Sequence, residues 1–132
     1  MGQSMVREAK LPYELNVKHW IATWGAFLNS GIGMIIVSVD GDDLPIGAIG
    51  AHPHTDPNDG SKCNSEAFWF VLPEHRNGRV GIDLLKALEG WSVLHSCKRI
   101  SMVHFVALNP RLAKIYERMG YVATEIHYIK KL

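Results

Sequence analysis

The stretch PEHRNGRVGIDLL, Pro73 to Leu85, gathers Arg76, Asn77, Gly78, Arg79 and Gly81 directly before an amphipathic run. A helix N-terminus leaves amide N–H groups unpaired and carries about half a positive charge. A glycine-assisted turn entering a helix is therefore a site for phosphate groups, and arginines add charge and bidentate donors. The competing reading is a plain strand–helix connection with solvated arginines, because loops rich in Gly, Asn and Arg are common. Three further side chains, Glu66, His104 and Tyr116, are of types that move protons.

These residues need elements to position them. SEAFWFVL (Ser65–Leu72) is a dense aromatic strand. It leads through the turn into a helix whose Val80, Leu84, Ala87, Leu88, Trp91 and Leu94 repeat on one face. RISMVHFVAL (Arg99–Leu108) reads as a second strand. NPRLAKIYERMG (Asn109–Gly120) reads as a helix with Asn109 as N-cap, Pro110 in the first turn and Gly120 as its stop. Upstream, LNVKHWIATWGAFL (Leu15–Leu28) predicts an amphipathic helix interrupted by Gly25 and ended by Asn29 to Gly31. Gly33–Val39 and Ile46–Ala51 predict a hairpin, His52–Asn64 a mobile loop, and YVATEIHYIKKL a closing strand with a basic end. The order implies a mixed α/β sheet covered by helices, with a right-handed parallel crossover at its centre. In such sheets ligands bind beyond the carboxyl ends of parallel strands, where the Arg76–Gly81 turn lies.

The chain has 132 residues, 47% of them hydrophobic and 20% charged, which suits a single domain that buries about two thirds of its unfolded surface. Fourteen basic and thirteen acidic residues give a net charge of +1, so no summed field favours nucleic acid or an anionic membrane, and neither is expected as a partner. Cys63 and Cys97 have no CxxC spacing and read as free thiols of a reducing compartment, so a cytoplasmic location is expected. The start MGQSMVREAK has no hydrophobic core of a signal peptide. His52, His54, Asp56, Asp59 and Cys63 match no zinc spacing, DPNDG lacks calcium-loop ligands, and GIG and GAIG lie in hairpin strands without a dinucleotide-binding context. No metal is expected.

FVLPEHRNGRVGIDLLKALE resembles the acetyl-coenzyme A motif of the GNAT superfamily of N-acetyltransferases, with Val71, Pro73, Arg76, Gly81, Leu84 and Leu85 in register. NPRLAKIYERMGY resembles the family's second motif through Asn109, Ala113, Tyr116, Gly120 and Tyr121. The wording from Met102 to Leu132 is most similar to small GNAT proteins encoded by bacteriophages, which would place the chain in a host cytoplasm. The resemblance implies the GNAT fold: a mixed, mostly antiparallel sheet with a parallel strand–helix–strand core. It implies acetyl-coenzyme A as cosubstrate, with the pantetheine arm along Phe70, Val71 and Leu72 and the pyrophosphate on Arg76, Asn77, Gly78, Arg79, Val80 and Gly81. Asn109 and Tyr116 would be further cofactor contacts. Arg79 stands where the family usually has glycine: either the turn is re-routed or Arg79 itself reaches a phosphate.

Moving an acetyl group to a primary amine needs a neutral amine, a held oxyanion and a proton for the leaving thiolate. A lysine-like amine must give up roughly 4.6 kcal/mol of proton affinity at pH 7, an α-amine only about 1. The resemblance makes Glu66 or His104 the base, Glu66 slightly preferred, with a backbone N–H near Val71 for the oxyanion and Tyr116 as the acid. Bland readings stand beside these: Glu66 as a strand-end surface residue, His104 as a hydrogen-bonded core histidine, Tyr116 as a packed ring. The rival function is a coenzyme A-binding or interaction protein on the same fold without turnover. The acceptor is expected to be a small molecule or a protein amine. A homodimer closing an exposed last edge is also expected.

Overall fold

The computed structural model describes residues 2–108 and 110–132. Its elements are α1 (Gly2–Glu8), α2 (Val17–Ser30), β1 (Met34–Val39), β2 (Pro45–Thr55), β3 (Lys62–Val71), α3 (Val80–Leu94), β4 (Arg99–Ser101) and α4 (Arg111–Arg118). The sheet order is β1-β2-β3-β4, with β1, β2 and β3 antiparallel and β4 parallel to β3. This is the expected mixed sheet with one parallel crossover through α3. No helix among the described residues is long and apolar enough to cross a membrane.

Each sheet face has its own core. Met34, Ile49, Ala51 and Val71 meet Leu84 and Leu88 of α3, while Ala48 and Phe68 meet Trp24 of α2. Leu85 and Leu88 are fully buried, each contributing about 2 kcal/mol. The α3 stripe differs from the expected one: Leu84, Leu85, Leu88 and Ser92 are buried and Leu94 is exposed. α2 is continuous through Gly25, capped at its start by the Asn16 side chain on the His19 N–H (3.1 Å) and stopped by Gly31 at φ 74°.

Three further expectations are corrected. The His52–Asn64 stretch is mostly hairpin strand, with the turn confined to residues 56–61. Pro53 is tolerated because it lies past the last β1 pair, Met34 with Ala51, where β2 has no neighbour on that side. Arg99 fastens the hairpin tip, 2.7 Å from both Asp56 and Asp59. The strand Arg99–Leu108 shrinks to Arg99–Ser101, because the Val103 N–H goes to the Glu66 carboxylate (2.8 Å) instead of a ladder. The closing strand is not formed: residues 122–132 have no regular structure and Val122, Ile126 and Tyr128 stand exposed, since a strand pattern without a neighbour gains no ladder. α1, for which no element was expected, buries Val6 and is followed by buried Ala9.

Candidate active site

The site begins with an irregularity in β3. Pairing runs Gly50 with Phe68 and then Ala51 with Glu66, so Ala67 is an extra residue, a β-bulge. A one-residue slip exchanges faces. Phe68 and Phe70 therefore look toward α2, whereas Glu66 joins Trp69 and Val71 on the α3 side, opposite Ala51.

β3 and β4 pair only from Cys63–Ser65 with Arg99–Ser101. Beyond that, Glu66 to Val71 has a strand partner on one side alone. The Leu72 N–H points to Ile46 of β2 (2.9 Å), and peptide groups alternate along a strand, so those of Trp69 and Val71 face the open side.

Glu66 lies in this opening, 9% exposed, its Oε2 accepting the Val103 N–H at 2.8 Å. Burial pushes its pKa up to about 7, against the opposing pull of that hydrogen bond. The Tyr116 hydroxyl donates to the Val103 carbonyl at 2.8 Å. Burial first, then the Glu66 charge and Tyr121, drive the Tyr116 pKa above the usual phenol value. The rings of Trp69 and Tyr121 flank Tyr116 at 6.2 and 5.5 Å, and Tyr121 donates to Glu89 at 2.9 Å. The imidazole Nε2 of His104 and the indole N–H of Trp69 are buried with no hydrogen-bond partner among the described residues.

The turn is built differently from a glycine loop. Arg79 precedes α3 with φ −91° and ψ −7°, an ordinary right-handed conformation, so a side chain costs no backbone strain there. That side chain is 78% exposed and lies 3.5 Å from the Asp83 carboxylate. The first helical bond runs from the Asp83 N–H to the Arg79 carbonyl (2.9 Å), which leaves the preceding amides without helical partners. Gly78 and Gly81 have no positive φ, and a Cβ at Gly81 would make only ordinary contacts with Trp69 and Val71.

Arg76 turns inward. Its Nε donates to the Val71 carbonyl (2.8 Å), its two terminal nitrogens hold Glu8 of α1 at 2.9 and 3.1 Å, and its guanidinium lies 4.9 Å over the Phe70 ring.

The structure thus gathers Glu66 and Tyr116 about Val103, and Val71 with the Asn77–Gly81 turn at the end of the same strand. Phe70 faces the other side of the sheet. Asn109, expected as N-cap and cofactor contact, lies outside the described residues; Pro110 directly precedes α4. Sequence reasoning missed Glu8, Trp69 and the Val103 main chain. A bulge or a main-chain partner leaves no residue-type signal, although the aromatic run around Trp69 was visible. Among the described residues no group of three His, Cys, Asp or Glu side chains is placed to hold a metal.

The site is thus a splayed parallel pair with a helix start at its mouth and a buried carboxylate in the splay. The family model described as "Acetyltransferase (GNAT) family" matches residues 4–121, and the chain belongs to that family. Solved structures share the fold. A Trypanosoma brucei acetyltransferase is 15% identical with a TM-score of 0.72, covering 100% of this chain and 96% of that one. AAC(6')-Iy in complex with the bisubstrate analog CoA-S-monomethyl-acetylneamine is 23% identical with a TM-score of 0.72, covering 96% and 87%. A GNAT family acetyltransferase of Staphylococcus aureus is 20% identical with a TM-score of 0.70, covering 93% and 82%. No match was found among curated proteins.

Proposed function

We propose that this chain transfers an acetyl group from acetyl-coenzyme A to a primary amine by direct attack. The observation that carries it is the buried Glu66, set in the β3–β4 opening with a pKa near neutrality. The residues fit the cosubstrate. The amides from Asn77 to Gly81 and the exposed Arg79 would take its pyrophosphate, and the open side of β3 at Trp69 and Val71 its pantetheine arm. When bound, acetyl-coenzyme A supplies the activated acetyl group.

Everything else falls to the chain. Ionised Glu66 accepts a proton from the incoming ammonium or amine, and its desolvated surroundings make that acceptance stronger than at an exposed carboxylate. The Trp69 and Val71 N–H groups, aimed into the opening, would steady negative charge on a carbonyl oxygen there. Tyr116 keeps its proton across the physiological range and would give it to a departing thiolate. His104, with an unpartnered buried Nε2, is retained as the alternative base. Arg76 is committed to Glu8 and the Val71 carbonyl, so its contribution is to hold the turn in shape.

The relative complexed with an acetylneamine analog of coenzyme A supports an amine as acceptor class. The two free cysteines agree with a reducing compartment, cytoplasmic or, if the phage-like wording is followed, host-cytoplasmic. A homodimer remains part of the proposal, now formed through the unpaired tail and the open edge beside β4.

A second reading has its own observation: Glu66 and Tyr116 both bind Val103, which is what two structural groups would do. The chain would then bind coenzyme A without turnover. Calorimetry with coenzyme A followed by turnover on a panel of amines separates the two. Binding with amine-dependent thiol release supports transfer; binding without release on every amine supports the second reading; no binding overturns both.

A further inference from the structure

Behind β3, on the face away from Glu66, lies a cavity of about 230 Å³ between α1, α2 and the sheet. Its walls include Met5 of α1, Trp20 of α2, Ile35 of β1, Ala48 of β2, and Phe68 and Phe70 of β3. None of the described residues lining it carries an ionisable side chain, and the Trp20 indole holds their only side-chain N–H. The Trp20 and Phe68 rings meet at 5.3 Å and 59°, giving the cavity an aromatic wall. A polar or charged occupant would lose its water here without finding partners. Apolar cavities of comparable size stay dry and take up small hydrocarbons. The volume is below that of a drug-sized pocket and suits a single ring or a short branched chain.

Two features connect this cavity to the reaction site. Phe68 lies two residues along β3 from Glu66, about 7 Å of extended chain. Past Ser65, moreover, β3 has no strand partner on its β4 side among the described residues, and this is the edge where Glu66 sits. A flexible molecule with one end among Trp20, Phe68 and Phe70 has only that unpaired edge to round for its other end to meet Glu66. The roof of the cavity is fastened as well: α1, which contributes Met5, is held by the bidentate Glu8–Arg76 pair at the start of the cofactor turn.

We propose that this cavity binds an uncharged aromatic or short aliphatic group of about six to ten heavy atoms, and that this group belongs to the amine acceptor. The acceptor class is thus an apolar amine, such as an arylalkylamine, rather than a polyhydroxylated or polycationic one. The acceptor half rests on the acetyltransferase reading; the cavity half does not.

The test has two arms. Fluorine NMR of the full chain titrated with fluorobenzene, without coenzyme A, reads the cavity alone. Saturable binding is expected, weakened at least tenfold by Ala48→Leu, which fills the cavity, and by Val37→Phe, which narrows its half-exposed rim and spares the core. Circular dichroism identifies variants that remain folded. No saturable binding to the folded wild-type chain, or binding that both folded variants leave intact, overturns the site. The second arm compares kcat/KM for phenylethylamine and ethanolamine with acetyl-coenzyme A. At least a tenfold preference for phenylethylamine is expected, collapsing toward parity in Val37→Phe. Fluorobenzene binding without that preference would assign the cavity to a separate apolar ligand and overturn the acceptor class. If no amine turns over, the acetyltransferase reading fails while the fluorine titration still decides the cavity.

Discussion

Glu66 and Tyr116 act on opposite ends of one residue: the carboxylate accepts the Val103 N–H and the phenol donates to the Val103 carbonyl, each at 2.8 Å. Val103 is where the chain has left the sheet, so these two side chains replace the ladder that a longer β4 would have supplied. They are also coupled electrically, because a charge on Glu66 makes Tyr116 harder to ionise. A proton on Glu66 therefore removes one of the causes that hold the Tyr116 phenol neutral.

The pH dependence of Glu66 has a definite sign. Its folded pKa of about 7 lies above the ordinary value of 4.5, so the folded state binds more protons than the unfolded state between those limits. Stability then falls as pH rises from about 4.5 to 7, by an amount on the order of 3 kcal/mol. Glu66→Gln should remove this slope in urea denaturation across that window while lowering turnover about a hundredfold or more. Wild-type turnover, needing the ionised base, should instead climb with a midpoint near pH 7. Equal stability slopes in the two proteins would refute the burial argument, and a flat wild-type pH–rate profile would remove Glu66 as the base.

Tyr116→Phe separates chemistry from scaffolding. Loss of the hydroxyl leaves the Val103 carbonyl short of a donor, at a cost of about 1 kcal/mol in thermal unfolding. Turnover should fall about a hundredfold with coenzyme A affinity within about twofold of wild type by calorimetry. Since the Tyr116 pKa is raised above 10, the wild-type pH–rate profile should show no alkaline fall from this group below pH 10. Turnover within a factor of two of wild type would leave Tyr116 with only its structural bond.

How much of this was legible beforehand depends on which force decided each element. The layered mixed sheet, the parallel crossover and α3 followed from apolar periodicity, because burial of Leu84 and Leu88 against Ile49 decided them. The Glu66–Tyr116 pairing on one side of the sheet did not, because it depends on a single extra residue, Ala67, whose type announces no bulge. The strand expected over Arg99–Leu108 stops at Ser101, because a tertiary competitor, the Glu66 carboxylate, takes the Val103 amide. Arg79 stands where the family usually has glycine, yet its φ of −91° is right-handed, so the conformation that tolerates it is set by the turn and not by the residue type. Arg76 carried a motif position, but its bond to Glu8 joins residues 68 apart and has no sequence signature.

Arg79→Ala tests the phosphate role free of backbone effects, since the position is right-handed and the side chain projects into solvent. Coenzyme A affinity should weaken roughly five- to tenfold by calorimetry, and the difference from wild type should shrink as salt is raised. Thermal stability should move little, because the Asp83 contact is exposed and long. Unchanged or tighter binding would mean that the amides of the turn suffice and that Arg79 crowds the ligand.

The bulge itself rests on a close approach across the sheet. A Cβ at Gly50 would strike the Phe68 ring, which lies over it on the α2 side. That ring cannot swing away freely, because Trp20 and Trp24 hold it at 5.3 and 5.0 Å. Gly50→Ala should therefore destabilise the fold by about 2 kcal/mol through overpacking, measured by urea denaturation. Phe68→Leu alone should also destabilise, by opening space beside the tryptophans. Combined with Gly50→Ala, however, it should cost less than the sum of the two single changes, because the smaller side chain makes room for the new methyl. Strictly additive losses would show that Gly50 serves backbone freedom next to the bulge instead of the passage of the Phe68 ring.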